Sequence, residues 1–129
     1  MDYADLIARI PIFEDLHAED VRALASNLVP RRFAAGQIII NLGDEGTSMF
    51  IVADGHVNIH LPGEASRRIS LKDIAAGEYF GELALFDDKP RSASAIATTD
   101  AVLLELDRDT LSRYLDGRPH AAMRLLRTL

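Results

Sequence analysis

The chain has 129 residues, 48% of them hydrophobic and 26% charged, which fits one soluble globular domain with a substantial core. It contains no cysteine, so disulfides, thiolate metal sites and cysteine nucleophiles are excluded. Its net charge of −6 argues against broad attraction to nucleic acid, and its short apolar runs argue against export or membrane insertion, so we expect a cytoplasmic protein.

Helical patterns occupy residues 1–30. A cluster of aliphatic residues before Pro11 predicts a short helical piece that the proline ends. A longer amphipathic helix is predicted over 18–28, and Pro30 ends it. The apolar residues that carry these two predictions are Leu6, Ile7 and Ile10 in the first, and Val21, Leu24, Ala25 and Leu28 in the second.

Residues 31–106 change to short β-prone runs separated by glycines. Six strands are predicted, over 37–41, 49–53, 57–61, 67–71, 92–97 and 101–106. In the third, apolar and polar residues alternate, which predicts one buried face formed by Val57, Ile59 and Leu61. The glycines at 36, 43, 46, 55 and 77 are interpreted as turn residues, because tight hairpins need a positive φ.

Helical signals return in residues 107–129. Asp107 is a favourable N-cap, Gly117 a stop, and Pro119 suits the first position of a last helix. The apolar stripe of that helix has no end signal, so we expect a helix that is cut short; it consists of Ala122, Leu125, Leu126 and Leu129. The predicted organisation is one domain over 1–129, with helical segments before and after a β region.

The stretch from Phe80 to Ala95, FGELALFDDKPRSASA, carries the chemistry. Arg91 offers a planar fork of donors for an oxyanion, and Gly81 lets backbone amides approach a ligand. If a short helix begins after Gly81, its first free N–H groups add affinity for an anion, and Glu82 can accept from a hydroxyl. These groups together predict a sugar phosphate as ligand.

The segment Phe80-Gly81-Glu82-Leu83-Ala84-Leu85, followed by Arg91-Ser92-Ala93, resembles the phosphate-binding cassette of the cyclic-nucleotide-binding domain family, as in catabolite activators and protein kinase A regulatory subunits. Residues 39–55 are similar to the glycine-punctuated hairpin of that family. The resemblance extends from about Ile10 to the C-terminus. It implies an eight-stranded antiparallel β-roll with helices at both ends, and the sensing of cyclic AMP or cyclic GMP.

The resemblance also implies a role for individual residues. Arg91 would pair with the cyclic phosphate, beside the amides of Leu83, Ala84 and Ser92, and Glu82 would accept from the ribose 2′-hydroxyl. The base would lie against apolar residues such as Ile59 and Leu71. The ligand-binding residues implied in this way are Phe80, Gly81, Glu82, Leu83, Ala84, Arg91, Ser92, Ala93, Ile59 and Leu71. Adenine is preferred to guanine, because relatives selective for cyclic GMP often carry threonine where this chain has Ser92.

Other readings of these residues stay open at this point. Glu82 can also complement a helix dipole, an effect of only about 0.3–1 kcal/mol. A cupin-like metalloenzyme is disfavoured because His56 and His60, about 13 Å apart along a strand, cannot share one ion, and all four histidines are assigned to the surface. No nucleophile motif is present, so an enzyme is not expected, nor any cofactor.

A ligand-free β-roll used for protein interaction or dimerisation is the alternative function. The partners expected for the sensing function are the cyclic nucleotide itself, and a second copy or an attached output domain reached through the C-terminal helices. Neither direct binding to nucleic acid nor insertion into a membrane is expected.

Overall fold

The computed structural model describes residues 3–127. The helices are α1 (Tyr3–Ala8), α2 (Ala18–Ser26), α3 (Arg108–Leu115) and α4 (Pro119–Arg127), and short 3₁₀ turns cover Pro11–Phe13, Glu64–Ser66 and Glu82–Leu85. The strands are β1 (Val29–Phe33), β2 (Ile38–Ile40), β3 (Ser48–Asp54), β4 (His56–Pro62), β5 (Arg68–Ala75), β6 (Tyr79–Phe80), β7 (Ser94–Ala97) and β8 (Ala101–Asp107). Within residues 3–127, no helix has the length and apolar character needed to cross a lipid bilayer.

The strands form two four-stranded antiparallel sheets. The first has the order β1-β8-β3-β6 and the second the order β2-β7-β4-β5. The sheets face each other, with α1, α2 and α3 packed on the outside of the first sheet. The predicted β-roll with flanking helices is therefore confirmed.

β3 of the first sheet is buried on both faces over most of its length. In β3, Met49 and Ile51 belong to a core shared with the helices, whereas Phe50 and Val52 point into the roll between the sheets. Because successive side chains of a strand point to opposite faces, one continuous apolar run supplies both cores. The result is a helix-facing core and a separate roll core, and the second lies beside the site described below.

Two strands were absent from the sequence prediction. β1 contains Pro30, which predicted only the end of a helix; the strand lies at the edge of its sheet, where a residue without an N–H is tolerated. β6 has two residues, too few for any alternation to be read. The other six predicted strands are present, with ends that differ by a few residues.

The prediction that all four histidines lie at the surface is wrong for His60, which is only 7% exposed. His60 faces away from Ile59 on β4, and its neighbours on the two adjacent strands are Ser94 and Ser70. An inner strand is shielded from both sides, so alternation alone does not put its polar residues in water. A β-bulge at Leu71 shifts the pairing of β5 with β4 directly beside His60.

The C-terminal helices begin and end near the predicted residues. The Asp107 side chain accepts a 3.0 Å hydrogen bond from the Asp109 amide and caps α3, and Gly117 has a φ of +75° between α3 and α4. In the predicted stripe of α4, Ala122 is partly buried. Leu129 and the side chains of Leu125 and Leu126 lie outside the described residues.

A polar contact joins α2 to the C-terminal helices. The Tyr114 hydroxyl on α3 donates a hydrogen bond to the buried Asp20 carboxylate on α2, and His120 Nε2 on α4 lies 3.6 Å from the other Asp20 oxygen. Burial, together with the hydrogen bond to Asp20 and its charge, raises the pKa of Tyr114 to about 12 from an ordinary value of 10.0.

Replacing Tyr114 by phenylalanine should lower the free energy of unfolding by about 1–3 kcal/mol, because a buried carboxylate loses its donor. Since the folded-state pKa is raised, the contribution of Tyr114 to stability is present below pH 10 and is lost as the pH rises from 10 towards 12. Denaturant unfolding at several pH values and ultraviolet titration of tyrosinate measure both effects, with Tyr3→Phe as the control. An unchanged high-pH titration step in Tyr114→Phe would contradict the assignment.

Candidate functional site

The site begins with a turn that follows β6. Gly81 has a φ of +78°, a conformation that favours glycine, and a 3₁₀ turn runs from Glu82 to Leu85, as the short helix predicted there. We call residues 80–87 the Gly81 turn. The Ala84 amide donates to the Gly81 carbonyl, whereas within residues 3–127 the amides of Leu83 and Ser92 donate to no protein acceptor. Two N–H groups are thus available to an anion.

A cavity of about 300 Å³ opens beside this turn. Nine of the ten predicted ligand-binding residues line it: Phe80, Gly81, Glu82, Leu83, Ala84, Arg91, Ser92, Ala93 and Ile59. Ile40, Asp87, Lys89 and Pro90 complete the lining and were not predicted. Leu71 does not line the cavity; it lies at the bulge of β5 and is 53% exposed. The size is at the lower end of the range for small-molecule sites.

Arg91 is held from three sides. Its Nη2 donates to the Ser48 carbonyl at 2.8 Å, and its guanidinium carbon lies 5.9 Å from the centroid of the Phe50 ring. Its backbone N–H donates to the Asp44 carbonyl, and its carbonyl accepts from the Gly43 amide, both at 2.8 Å. Burial lowers the pKa of the guanidinium, and the carboxylates of Glu105 and Asp44 partly offset this, so Arg91 stays charged at neutral pH.

Two glycines leave room for the Arg91 side chain. A Cβ on Gly46 would lie 2.3 Å from Arg91 Nε, and one on Gly81 would lie 2.9 Å from Nη1. The turn interpretation holds for Gly36, Gly43, Gly55 and Gly77, which all have a positive φ, but it is wrong for Gly46, which does not. Glycine is needed at 46 because the guanidinium passes directly over it.

Glu82 lies between this cavity and a second one of about 470 Å³, whose lining also includes Lys72, Ile74 and Tyr79. Its carboxylate accepts no hydrogen bond from any residue in the described part of the chain, so it remains available to a ligand hydroxyl. Burial, and then the charge of Glu82, raise the pKa of Tyr79. The two cavities share Ile59, Phe80, Gly81 and Glu82, so they lie side by side, and we call them together the cleft.

Arg108, which the sequence analysis did not single out, contacts the Gly81 turn from the far side. Its Nε and Nη2 donate to the Ala84 carbonyl at 3.0 and 2.7 Å, and Nη2 also donates to the Asp87 carbonyl. Its Nη1 forms an ion pair with Asp88 at 2.7 Å. An arginine in the first turn of a helix interacts unfavourably with the helix dipole. That position is the feature of the sequence that could have drawn attention to Arg108.

The described part of the chain brings no three histidine or acidic side chains close enough together to hold a metal ion. Among the described residues, the cleft presents the Arg91 guanidinium held by Ser48, the free amides of Leu83 and Ser92, the Glu82 carboxylate and apolar walls, with Lys89 also in the lining. Those groups suit an anion joined to a sugar and to a flat apolar group.

Comparisons with known proteins agree with this geometry. Residues 30–118 match the family model described as cyclic nucleotide-binding domain. The chain is 31% identical over 125 residues to a CRP-like cAMP-activated global transcriptional regulator of Mycobacterium tuberculosis, covering 97% of this chain and 56% of that protein. It is 33% identical over 113 residues to the cAMP-dependent protein kinase regulatory subunit of Colletotrichum orbiculare, covering 88% of this chain and 28% of that protein.

Solved structures show the same fold. The N-terminal domain of a transcriptional regulator from Streptomyces coelicolor superposes with a TM-score of 0.90 at 33% identity, covering 96% of this chain and 89% of that one. The catabolite activator protein of Thermus thermophilus superposes with a TM-score of 0.76 at 32% identity, covering 91% of this chain and 55% of that one. The chain spans about half the length of the M. tuberculosis regulator, or less of the kinase subunits. It belongs to the cyclic nucleotide-binding domain family, whose members here are regulators.

Proposed function

We propose that this chain is a regulatory domain that binds a purine cyclic mononucleotide, cyclic AMP in preference to cyclic GMP. The observation that carries the proposal is the convergence of the Arg91 guanidinium, the free amides of Leu83 and Ser92 and the Glu82 carboxylate on one cleft. A cyclic nucleotide offers a matching anion, a matching hydroxyl and a flat base. No cofactor is needed, and the function is binding without catalysis.

The phosphate is assigned to Arg91 and the Gly81 turn. Only one Arg91 nitrogen is committed to Ser48, so Nε and Nη1 are left to donate to a phosphate oxygen. The Leu83 and Ser92 amides add neutral donors, and the Ser92 hydroxyl lies in the same lining. The Ala84 amide, already bonded within the turn, contributes less than the sequence implied.

The ribose is assigned to Glu82, and the base to the apolar walls. Ile59 lines both cavities and is the base contact that the geometry supports. Leu71 is set aside because it lies outside both linings. The preference for cyclic AMP draws support from the relatives, since the M. tuberculosis regulator is described as cAMP-activated and the C. orbiculare kinase subunit as cAMP-dependent.

Occupancy of the cleft is proposed to change the position of α3 and α4, through which a second copy or an attached output domain would respond. A ligand shifts such an equilibrium only by binding one arrangement more tightly than the other. We place the protein in the cytoplasm, as for regulators of this kind, with no direct contact to nucleic acid by this chain.

Calorimetric titration with cyclic AMP and cyclic GMP, side by side, tests the proposal. We expect saturable one-site binding of both, with cyclic AMP the tighter ligand. Tighter cyclic GMP would reverse the base preference and leave the ligand class intact. Absence of binding by either nucleotide would favour the alternative, a ligand-free β-roll used as an interaction surface.

Removing the Glu82 carboxylate tests the ribose assignment. A hydrogen bond to a charged group contributes about 1.5–3 kcal/mol, so Glu82→Ala should weaken cyclic AMP binding roughly ten- to hundredfold. The 2′-deoxy analogue should lose a similar amount on the wild type and nothing further on Glu82→Ala, as titration of both ligands measures. Glu45→Ala, an exposed glutamate outside the cleft lining, is the control. If 2′-deoxy and parent nucleotide bind the wild type equally, Glu82 has no ribose role.

A further inference from the structure

Arg108 connects the floor of the cleft to the C-terminal helices. We propose that it is a positioning residue, which fixes the Gly81 turn in the shape that binds phosphate and transmits movement of that turn to α3. The proposal rests on the function proposed above for the same cleft. Arg108 itself lines neither cavity.

Arg108 contacts the Gly81 turn through two of its backbone carbonyls. Ala84 and Asp87 both line the cavity, and their carbonyls point away from it to the Arg108 guanidinium. A 3₁₀ turn of four residues satisfies few of its own carbonyls, so its shape depends on outside donors. One guanidinium supplies three of those hydrogen bonds and holds both ends of the segment from residue 84 to 87.

The start of α3, where Arg108 lies, is bonded to residues at the start of β3. Arg108 is the first residue of α3, and its amide donates to the Thr47 carbonyl at 2.8 Å. The preceding residue, Asp107, accepts from the Thr47 hydroxyl at 2.6 Å and the Ser48 hydroxyl at 3.3 Å. Burial opposes ionisation of Asp107, but these hydrogen bonds and that of the Asp109 amide lower its pKa overall. The start of α3 is therefore joined to the start of β3 by three hydrogen bonds.

Ser48 connects Arg91 to the start of α3. Its carbonyl accepts from Arg91, the proposed phosphate ligand, while its hydroxyl bonds to Asp107, the cap of α3. Arg91 is thus linked to the start of α3 through one residue, Ser48, and the Gly81 turn is bonded directly to Arg108. A change at either one, on binding an anion, is transmitted directly to α3.

The ion pair with Asp88 does not explain the position of Arg108. The Asp88 side chain is 93% exposed, and such pairs contribute little to stability. The carbonyl contacts are half-buried and use the fork geometry of the guanidinium, which lysine lacks. The two sets of contacts can be separated by Asp88→Ala, which removes the pair and leaves the carbonyl contacts.

Amide hydrogen exchange of the protein without nucleotide tests the positioning of the turn. The Ala84, Phe86 and Asp87 amides are bonded within the turn, and in Arg108→Ala they should exchange about tenfold faster or more. Exchange of these amides should also be faster in Arg108→Lys, and this variant is used for the test if Arg108→Ala fails to fold. Arg113→Ala, an exposed arginine on the same helix, and Asp88→Ala are the controls. Unchanged exchange in a folded Arg108 variant overturns the proposal, whatever nucleotides the protein binds.

Titration with cyclic AMP, followed by backbone amide chemical shifts, tests the link to α3. The wild type should show shifts in both the Gly81 turn and the first turn of α3. Arg108→Lys should bind about tenfold more weakly, with the α3 shifts reduced relative to those of the Gly81 turn. Equal affinity and equal α3 shifts in the variant overturn the proposal. If the wild type binds neither cyclic AMP nor cyclic GMP, the proposed function fails, and the exchange measurement alone decides the role of Arg108.

Discussion

Replacing Arg91 by alanine should weaken cyclic-nucleotide binding by about 2–5 kcal/mol, roughly thirtyfold to several thousandfold. The guanidinium is half-buried, is held by the Ser48 carbonyl over the Phe50 ring, and is the cation that meets the free amides of the cleft. Removing the guanidinium would leave the phosphate of the bound nucleotide without its charged partner. Isothermal titration of wild type and variant with cyclic AMP measures the loss directly.

The control for this substitution is Arg32→Ala, which removes an exposed arginine on the edge strand β1. Unfolding curves of both variants separate loss of binding from loss of fold. The phosphate assignment is wrong if Arg91→Ala, correctly folded, binds within threefold of the wild type. Lys89 also lines the cavity, and residual binding that disappears in the double variant Arg91→Ala/Lys89→Ala would identify a second cation for the phosphate.

The net charge of −6 does not weaken the case for an anionic ligand. A ligand within a cleft responds mainly to charges inside about one Debye length, roughly 8–10 Å at moderate salt. Arg91, the free amides and Glu82 all border the cavity. We therefore expect local geometry to determine whether a small anion binds, and overall charge to determine how the protein meets large polyanions.

The strands with clear alternation or long apolar runs were predictable from the sequence, because burial of one or both faces imposes those patterns. β1 and β6 were not, since Pro30 is read as a terminator until the edge position of its strand is known, and two residues carry no period. His60 shows a different limit. The alternation in β4 predicts an exposed His60, but His60 is buried like Val57, whereas Ile59 and Leu61 are only partly buried. Burial of this strand depends also on its neighbours, which local sequence does not specify.

The site was largely predictable because most of its residues are contiguous in the chain. Nine predicted residues meet at one cavity, and eight of them come from the segment 80–93. Two residues whose roles were missed act across the sequence: Gly46 makes room for Arg91, and Arg108 holds carbonyls more than twenty positions before it. Long-range partners of this kind leave no local pattern. Leu71, which was assigned by its family position, lies at a bulge of β5 and outside the lining of both cavities.

The separation of the two cores leads to a second large effect. Leu104 on β8 is fully buried and belongs to the helix-facing core, on the face of the sheet opposite the roll. Replacing it by alanine should lower the free energy of unfolding by about 2–5 kcal/mol, because a buried side chain is removed and a cavity remains. Denaturant unfolding, with Leu42→Ala as a control at an exposed leucine, measures the cost.

The same variant should bind cyclic AMP with unchanged affinity at temperatures where it is folded. The apolar walls of the cleft, Phe80 and Ile59, belong to the roll core, and no atom of Leu104 lines either cavity. Nucleotide should therefore add the same amount to the free energy of unfolding of Leu104→Ala and of the wild type. A loss of affinity comparable to the loss of stability would show that the helix-facing core shapes the cleft, and that the two cores do not act independently.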